Sequence, residues 1–196
     1  QTRVSYSDDS TPPLKYEYKR NGAVARVADA LGERTFEHDE YGREIVENLP
    51  NGDSIRRDYH EEGQLASVEY WRGDKKAHGI KYDWRIDGQL AAVESGAGQF
   101  TYQYDKTNPI LLRSITGPAT TATYEYEPSR NLVDKITNHA GDRLISQYDY
   151  ENDGLGRRTS VKQLGDAFQN RGWDWGYNSR SELTSAKPAS DQLEPI

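Results

Sequence analysis

The stretch YDWRIDGQLAAV, residues 82–93, contains two aromatic residues separated by one position, a glycine four residues later and an apolar run. Residues i and i+2 of a β-strand point to the same face, so Tyr82 and Trp84 are expected to lie side by side on one surface. Gly88 fits a tight reversal, because glycine adopts positive φ without strain. An apolar strand then returns through Leu90 and Val93. The stretch therefore predicts one β-hairpin.

The same pattern occurs eight times along the chain. We call the second residue of each aromatic-x-aromatic pair the anchor residue, and successive anchors are 20, 21, 25, 20, 22, 24 and 25 residues apart. The anchors are Tyr18, His38, Tyr59, Trp84, Tyr104, Tyr126, Tyr150 and Trp175. Two residues earlier stand Tyr16, Phe36, Arg57, Tyr82, Tyr102, Tyr124, Tyr148 and Trp173. The predicted turn glycines, four residues after an anchor, are Gly22, Gly42, Gly63, Gly88 and Gly154.

The spacing of apolar residues in the return strands does not fit a regular strand with one buried face. Their apolar residues are three positions apart, as in Val24 and Val27 or Leu65 and Val68. In a regular strand such residues face opposite sides, so either both faces are partly covered or a β-bulge restores the parity. No stretch has a sustained helical period of apolar residues, so little helix is expected.

These features predict an all-β fold of tandem antiparallel β-hairpins, each of about 20–25 residues. The repeats cover residues 14–187, with no domain boundary between them. Residues 1–13 form a polar leader, and residues 188–196 form a polar, Pro-containing tail.

Composition agrees with a folded chain that has a thin core. Only 34% of the residues are hydrophobic and the mean hydropathy is -1.01, values that alone would fit a disordered chain. The 14 Tyr, 4 Trp and 3 Phe favour a folded, Tyr-rich layer instead, because Tyr buries its ring while its hydroxyl reaches a polar partner. There is no Cys and no Met, even at position 1, so we expect a processed piece of a longer protein.

The sequence carries no pattern typical of a catalytic, metal or cofactor site. The four His residues fall in different repeats, and the paired carboxylates lie in predicted turns rather than across a cleft. No nucleophile or phosphate-binding motif occurs. The net charge of -7 weighs against nucleic acid as a partner, and no apolar run approaches the roughly 20 residues of a membrane span. We therefore expect a protein that is not an enzyme and binds no cofactor.

Several repeats are similar to a known repeat unit, Y-x-Y-D-x-x-G-R-L-x-x-V. The best match is YDYENDG, residues 148–154, followed by GRRTSV, residues 156–161. HDEYGRE, residues 38–44, and Tyr104-Asp105 match parts of it. Over residues 14–187 the chain resembles the YD repeat of the RHS (rearrangement hotspot) family, which includes Tc-toxin shells and teneurin-like β-repeat ribbons.

The resemblance implies a ribbon of hairpins that curves or spirals into a hollow β-shell around a toxic polypeptide. This chain would be a fragment of such a shell. It lacks the D-P-x-G motif of the family's C-terminal aspartate autoprotease core, so the resemblance does not extend to self-cleavage.

Two functions are therefore expected, in this order. The first is a non-catalytic segment of a shell that encapsulates a toxin or effector polypeptide, secreted or displayed at a bacterial cell surface. Its partners would be the remainder of its own longer chain and the enclosed cargo. The alternative is an extracellular glycan-binding or adhesive module whose aromatic ladder stacks on cell-surface sugars, with Tyr70, Trp71, Trp173 and Trp175 as candidates. Packing is the favoured role of the rings, because few aliphatic side chains are available to replace them.

Overall fold

The computed structural model describes residues 3–6, 12–166 and 171–189. Within these ranges there are 17 β-strands and no helix, so none is long and apolar enough to cross a membrane. The predicted all-β class is confirmed. The strands are β1 (Arg3–Val4), β2 (Leu14–Tyr18), β3 (Val24–Asp29), β4 (Gly32–His38), β5 (Glu44–Asn48), β6 (Asp53–Tyr59), β7 (Leu65–Arg72), β8 (Lys75–Trp84), β9 (Leu90–Ser95), β10 (Gly98–Tyr104), β11 (Leu112–Thr116), β12 (Thr121–Tyr126), β13 (Val133–Ala140), β14 (Arg143–Asn152), β15 (Arg158–Leu164), β16 (Arg171–Tyr177) and β17 (Leu183–Pro188).

The chain divides into two compact units, Gln1–Ala97 and Gly98–Ile196. In the first unit β1 to β9 pair antiparallel in chain order, and in the second unit β10 to β17 do the same. The repeat pattern predicts no boundary within residues 14–187. In repeat proteins each repeat contacts mainly its sequence neighbours, so a boundary leaves no mark in the repeat pattern.

Each hairpin contains a β-bulge beside the residue that precedes its turn. In the first repeat Tyr16 faces Val27 and Tyr18 faces Val24, with a register shift between Glu17 and Tyr18. Two residues on one strand therefore oppose three on the other, and all four side chains share a face. The bulge explains why the apolar residues of the return strands are three positions apart.

In the last two repeats the bulge lies two residues later than the predicted anchors. The shift falls at Asn152 in the seventh repeat and at Tyr177 in the eighth, whereas the pattern places anchors at Tyr150 and Trp175. The residue at the seventh bulge is not aromatic, and β16 has three alternating aromatic residues, so aromatic identity alone does not define the position next to the turn. From here on, anchor means the residue at the bulge, so the last two anchors are Asn152 and Tyr177.

The core is one side chain thick. Only three hydrophobic residues among those described are buried: Val27 at 7%, Ala92 at 6% and Val161 at 3% exposure. One face of each unit carries the aromatic pairs and their apolar partners, and we call it the aromatic face. Cross-strand pairing places Gln103, Ser114, Thr123, Thr137 and Gln147 in one row on the other, polar face of the second unit.

The predicted leader and tail both contribute to strands. Arg3 and Val4 of the leader pair with Lys15 and Leu14, and β17 extends through Pro188 into the predicted tail. Residues 1–2, 7–11 and 190–196 of these segments lie outside the described residues.

Candidate functional site

The turns that follow the anchors lie along one edge of the sheet in each unit, which we call the turn edge. Six of the eight turns have the same backbone hydrogen bonds. In the seventh repeat the Asp153 N–H donates to the Arg157 carbonyl at 2.9 Å, and the Gly156 N–H donates to the Asp153 carbonyl at 3.0 Å. The fifth and sixth repeats have longer turns, closed by the Asp105 N–H to the Leu111 carbonyl and the Glu127 N–H to the Leu132 carbonyl.

Four of the five predicted turn glycines have positive φ, namely Gly22, Gly42, Gly63 and Gly88. The fifth, Gly154, lies in the expected turn, but the positive φ of 80° there belongs to Gly156. The difference follows from the two-residue displacement of the bulge. In the eighth repeat the same position is Ser181, which has φ 63° and is the one non-glycine residue with positive φ among those described.

An aspartate after the anchor closes the turn with its side chain. Asp153 Oδ1 accepts from the N–H groups of Leu155, at 2.9 Å, and Arg157, at 3.0 Å, while Oδ2 accepts from Arg157 Nε at 2.7 Å. Hydrogen bonds from the Arg157 side chain and backbone hold the pKa of Asp153 below its ordinary value. The carboxylate therefore stays ionised and bound to the turn in mildly acidic solution.

Asp39 repeats this arrangement in the first unit. Its Oδ1 accepts from Tyr41 N–H at 3.0 Å and from Arg43 N–H at 2.9 Å, and Oδ2 accepts from Arg43 Nε at 2.6 Å. Desolvation raises the pKa of Asp39, but the hydrogen bonds from Arg43 and Tyr41 outweigh it, so the net shift is downward. In both turns the aspartate is the first residue and the arginine the last residue of a D-x-x-G-R sequence.

In the fifth repeat Asp105 makes a larger set of such contacts. It accepts from the Thr107 hydroxyl at 2.6 Å, from the Asn108 N–H at 2.9 Å and from Arg113 Nε at 2.7 Å. The Thr107 hydroxyl, the Asn108 N–H and Arg113 hold the pKa of Asp105 far below its usual range. The longer turn is thus closed by the same type of side chain as the shorter ones.

The turn arginines also reach the next repeat along the chain. Three of them donate from Nη1 to the backbone carbonyl of the residue after the next anchor, and we call these contacts the inter-repeat clamps. They join Arg43 to His60 at 3.4 Å, Arg130 to Asp153 at 2.6 Å, and Arg157 to Asn178 at 3.1 Å. Each clamp fixes the position of one turn relative to its neighbour.

Two of the clamps also cover the next anchor ring. The guanidinium carbon of Arg43 lies 4.6 Å from the centre of the Tyr59 ring, and that of Arg157 lies 4.8 Å from the centre of the Tyr177 ring. Such cation–π contacts contribute roughly 0.5–1 kcal/mol at partly exposed sites.

A second set of contacts runs in the reverse direction, from an anchor to the preceding repeat. The anchor's polar tip donates to the carbonyl of the residue that faces the preceding bulge. Tyr59 Oη donates to Glu44 at 3.0 Å, Trp84 Nε1 to Leu65 at 2.8 Å, Tyr126 Oη to Leu112 at 2.8 Å, and Tyr177 Oη to Arg158 at 2.8 Å. Burial raises the pKa of the Tyr126 phenol, as expected for a ring packed between repeats.

Most of the other predicted aromatic residues lie beside one another or opposite apolar residues. Ring centres of Tyr16 and Tyr18 are 6.3 Å apart, as are those of Tyr148 and Tyr150. Cross-strand pairing sets the first aromatic residue of a pair opposite an aliphatic one: Tyr82 faces Val93, Tyr102 faces Ile115 and Tyr124 faces Ile136. Phe36 and Tyr104 face Glu47 and Leu112.

Tyr70 and Trp71, two of the glycan candidates, do not form a common surface. As neighbours in β7 they point to opposite faces. The Tyr70 hydroxyl donates to Asp53, and its ring stacks on His78. The Trp71 ring lies 4.1 Å from the guanidinium carbon of Arg56, and its Nε1 donates to Glu69 at 3.0 Å.

Trp173 and Trp175, the other two candidates, share one face of β16. Trp173 faces Val161 on β15 and Pro188 on β17, and Trp175 faces Ala186 on β17. Trp173 remains 37% exposed. Among the described residues no three His, Asp or Glu side chains are placed to hold a metal ion.

The residues that sequence reasoning missed are the clamp arginines and the carboxylates that orient them. An aspartate binds Arg43 and Arg157, and Glu127 binds Arg130. Their signal is the pattern D-x-x-G-R directly after an anchor, at 39–43 and 153–157. The contact between an arginine and a carbonyl about 20 residues away carries no sequence signal, because any residue supplies that carbonyl.

Neither a protein-family model nor a curated protein matches the sequence. Solved structures of similar fold exist. A chain in the crystal structure of TcdB2-TccC3 without its hypervariable C-terminal region aligns with a TM-score of 0.57 and 16% identity, over 95% of this chain and 13% of that one. A chain in the Photorhabdus luminescens Tc holotoxin pore aligns at 12% identity and a TM-score of 0.49, over 91% of this chain and 13% of that one.

The present chain thus spans about an eighth of the length of the Tc-toxin chains it matches, at 13% in both alignments. The likeness to TcdB2-TccC3 covers nearly the whole repeat region and is a likeness of fold. It agrees with the RHS/YD-repeat resemblance of the sequence, and the predicted tandem-hairpin architecture is confirmed.

Proposed function

We propose that this chain is a non-catalytic wall segment of an RHS/YD-type β-shell that encloses a toxin or effector polypeptide. The observation that carries the proposal is the series of inter-repeat contacts at the turn edge, in a fold that resembles part of a Tc-toxin chain. A wall needs neighbouring hairpins held at a constant geometry over many repeats, and these contacts serve that need.

The chemistry of the turn edge supports a structural role. The aspartates bind the turns and the arginines, the arginines bind carbonyls of the next repeat, and the anchor rings bind carbonyls of the preceding repeat. Asp153 uses its oxygens within its own turn, and Arg157 donates to that turn and to the next repeat, so these groups are directed to the protein rather than to a substrate.

The polar face of the second unit suits contact with an enclosed polypeptide. Its row from Gln103 to Gln147 offers hydroxyl and amide groups without a charge or a large apolar side chain. An unfolded cargo would bind weakly to such a surface, since few apolar groups are available to bury. In this proposal the partners are the remainder of a longer chain and the cargo, and the assembly is secreted or held at a bacterial cell surface.

The test is the size of the native polypeptide that carries this sequence, measured by immunoblot of source cells and their culture medium with an antibody against residues 14–187. A band several times larger than 22.3 kDa is expected. Limited proteolysis of that species should leave a protected fragment that is digested once the shell is unfolded in urea. A single band near 22.3 kDa would contradict the proposal, because eight hairpins are too few to enclose a polypeptide.

A further inference from the structure

Trp173 and Trp175 differ from the other tryptophans in how their indole groups are used. Trp84 donates its N–H to the Leu65 carbonyl, and Trp71 donates to Glu69 while Arg56 covers its ring. Within the described part of the chain, the indole N–H of Trp173 or Trp175 has no acceptor, and no cation or stacked ring covers either one. We call these two residues the tryptophan pair.

Small uncharged side chains lie directly across the strands from the tryptophan pair. The cross-strand neighbours on the same face are Val161, Ala186 and Pro188, whose side chains are smaller than an indole. Large rings flanked by small side chains keep part of their faces accessible, in agreement with the 37% exposure of Trp173. The nearest polar pair on this face is Gln163 with Arg171, joined at 2.7 Å in the adjacent row.

Two rings on alternate residues of one strand have a defined spacing. A strand rises about 3.3 Å per residue, so the indoles stand about 7 Å apart along β16. Each offers an apolar face and a polar N–H at its rim, a combination suited to a ligand with alternating C–H and hydroxyl groups. The rings of a sugar chain have this combination on every residue.

We propose that the tryptophan pair is a binding site for a neutral, extended glycan. Two sugar rings stack their C–H faces on Trp173 and Trp175, and the indole N–H groups donate to ring or hydroxyl oxygens. Val161, Ala186 and Pro188, directly opposite the rings, carry no charge, and the cation in the adjacent row, Arg171, is already hydrogen-bonded to Gln163. A neutral glycan is therefore favoured over an anionic one, whose sulfate or carboxylate groups need a cation as a partner.

The experiment is a titration of the 196-residue chain with cellohexaose, chitohexaose and maltohexaose, followed by tryptophan fluorescence and by calorimetry. Saturable binding of at least one hexasaccharide is expected, and Trp173→Ala should weaken it about tenfold or more, in line with the loss of a central aromatic contact. Trp173→Tyr should retain a measurable part of the affinity. The matched control is Trp71→Phe, which should leave the affinity unchanged because Trp71 lies in the first unit.

Thermal unfolding of each variant separates a lost site from a lost fold. The inference is supported if Trp173→Ala melts near the parent temperature and loses binding while Trp71→Phe retains it. It is overturned if none of the three hexasaccharides binds, if Trp173→Ala binds as the parent does, or if only heparin or a proline-rich peptide binds. This test needs neither cargo nor the longer chain, so its failure would leave the proposal of a shell wall intact.

Discussion

The turns of the seventh and eighth repeats share one backbone path but differ in their side chains. Asn178 Oδ1 accepts from the N–H groups of Arg180 and Glu182, both at 3.0 Å, just as Asp153 Oδ1 accepts from its own turn. The backbone hydrogen bonds are also equivalent. An oxygen acceptor after the anchor is therefore sufficient to form this turn, whether or not it carries a charge.

The two turns differ in what they contribute to neighbouring repeats. The seventh has Arg157, which pairs with Asp153 and reaches Asn178, whereas the eighth has Glu182 at that position, paired with Arg180 at 3.0 Å within its own turn. The local turn and the inter-repeat clamp are thus separable properties. Substitutions in the two turns should therefore have unequal effects on stability.

The largest effect is expected for Arg157→Ala. The variant loses two hydrogen bonds to Asp153, one to the Asn178 carbonyl and the contact with the Tyr177 ring, so the free energy of unfolding should fall by about 2 kcal/mol. Urea unfolding followed by circular dichroism measures this change. The control Arg180→Ala removes a side chain that is 78% exposed, and it should change the stability by less than about 0.5 kcal/mol. Equal effects of the two substitutions would contradict the clamp.

Gly156→Ala should destabilise the chain by about 1–2 kcal/mol, because an L-residue at φ 80° brings Cβ close to the following carbonyl. Gly154→Ala is the matched control in the same turn. Gly154 does not have positive φ, and an added Cβ would meet no atom within 4 Å. Its substitution should therefore be neutral or slightly stabilising. A larger loss of stability for Gly154→Ala than for Gly156→Ala would contradict the assignment of the bulge to Asn152.

Tyr177→Phe keeps the ring under Arg157 but removes the hydrogen bond to the Arg158 carbonyl. A loss of about 1 kcal/mol is expected, since the carbonyl at the bulge is left without this donor. The control is Tyr41→Phe, because Tyr41 lies in a turn and is 75% exposed. Chemical denaturation should show no change for the control.

Ser181→Gly should stabilise the chain by up to about 1 kcal/mol. Ser181 has φ 63°, a conformation that glycine adopts without the steric cost of Cβ. The gain is reduced by the loss of a 3.3 Å contact between Arg157 Nη1 and Ser181 Oγ. Combining Ser181→Gly with Arg157→Ala removes that offset, so the gain measured by urea unfolding should be larger in the double variant.

The smallest effect is a difference in acid sensitivity. The pKa of Asp153 is lowered in the folded state, so its contribution to stability is present above the unfolded value of about 3.9 and is lost as the pH falls through the lower folded value. Asp153→Asn should therefore be less stable than the parent at pH 6, with a smaller difference at pH 2. Urea unfolding at both pH values checks the sign. A difference that grows toward pH 2 would exclude the proposed ion pair.

The hairpins could be predicted because their determinants are local. Tyr82, Trp84 and Gly88 lie within seven residues, and the period-2 pattern and the turn signal need no knowledge of distant segments. The sequence could not decide whether Val24 and Val27 share a face, since a bulge and a strand covered on both faces give the same three-residue spacing.

The contacts between repeats were beyond the reach of the pattern. Arg157 binds the carbonyl of Asn178, and Tyr177 binds the carbonyl of Arg158, and a carbonyl is present at every residue. The two-residue error at Tyr150 and Trp175 arises within single hairpins. The aromatic residues of β14 both precede the bulge at Asn152, and those of β16 alternate up to the bulge at Tyr177, so only pairing with the neighbouring strand locates the bulge.

The sequence by itself determined the number of repeats, the antiparallel hairpins and most of the turn glycines, because these depend on side-chain alternation and φ preference within a few residues. The tertiary structure decided which residue occupies each bulge and which arginines clamp the next repeat. It also placed Ser181 in a left-handed conformation. The clamps join segments about 20 residues apart, and the bulges depend on the register between the two strands of a hairpin, so this geometry exists only once neighbouring strands have paired.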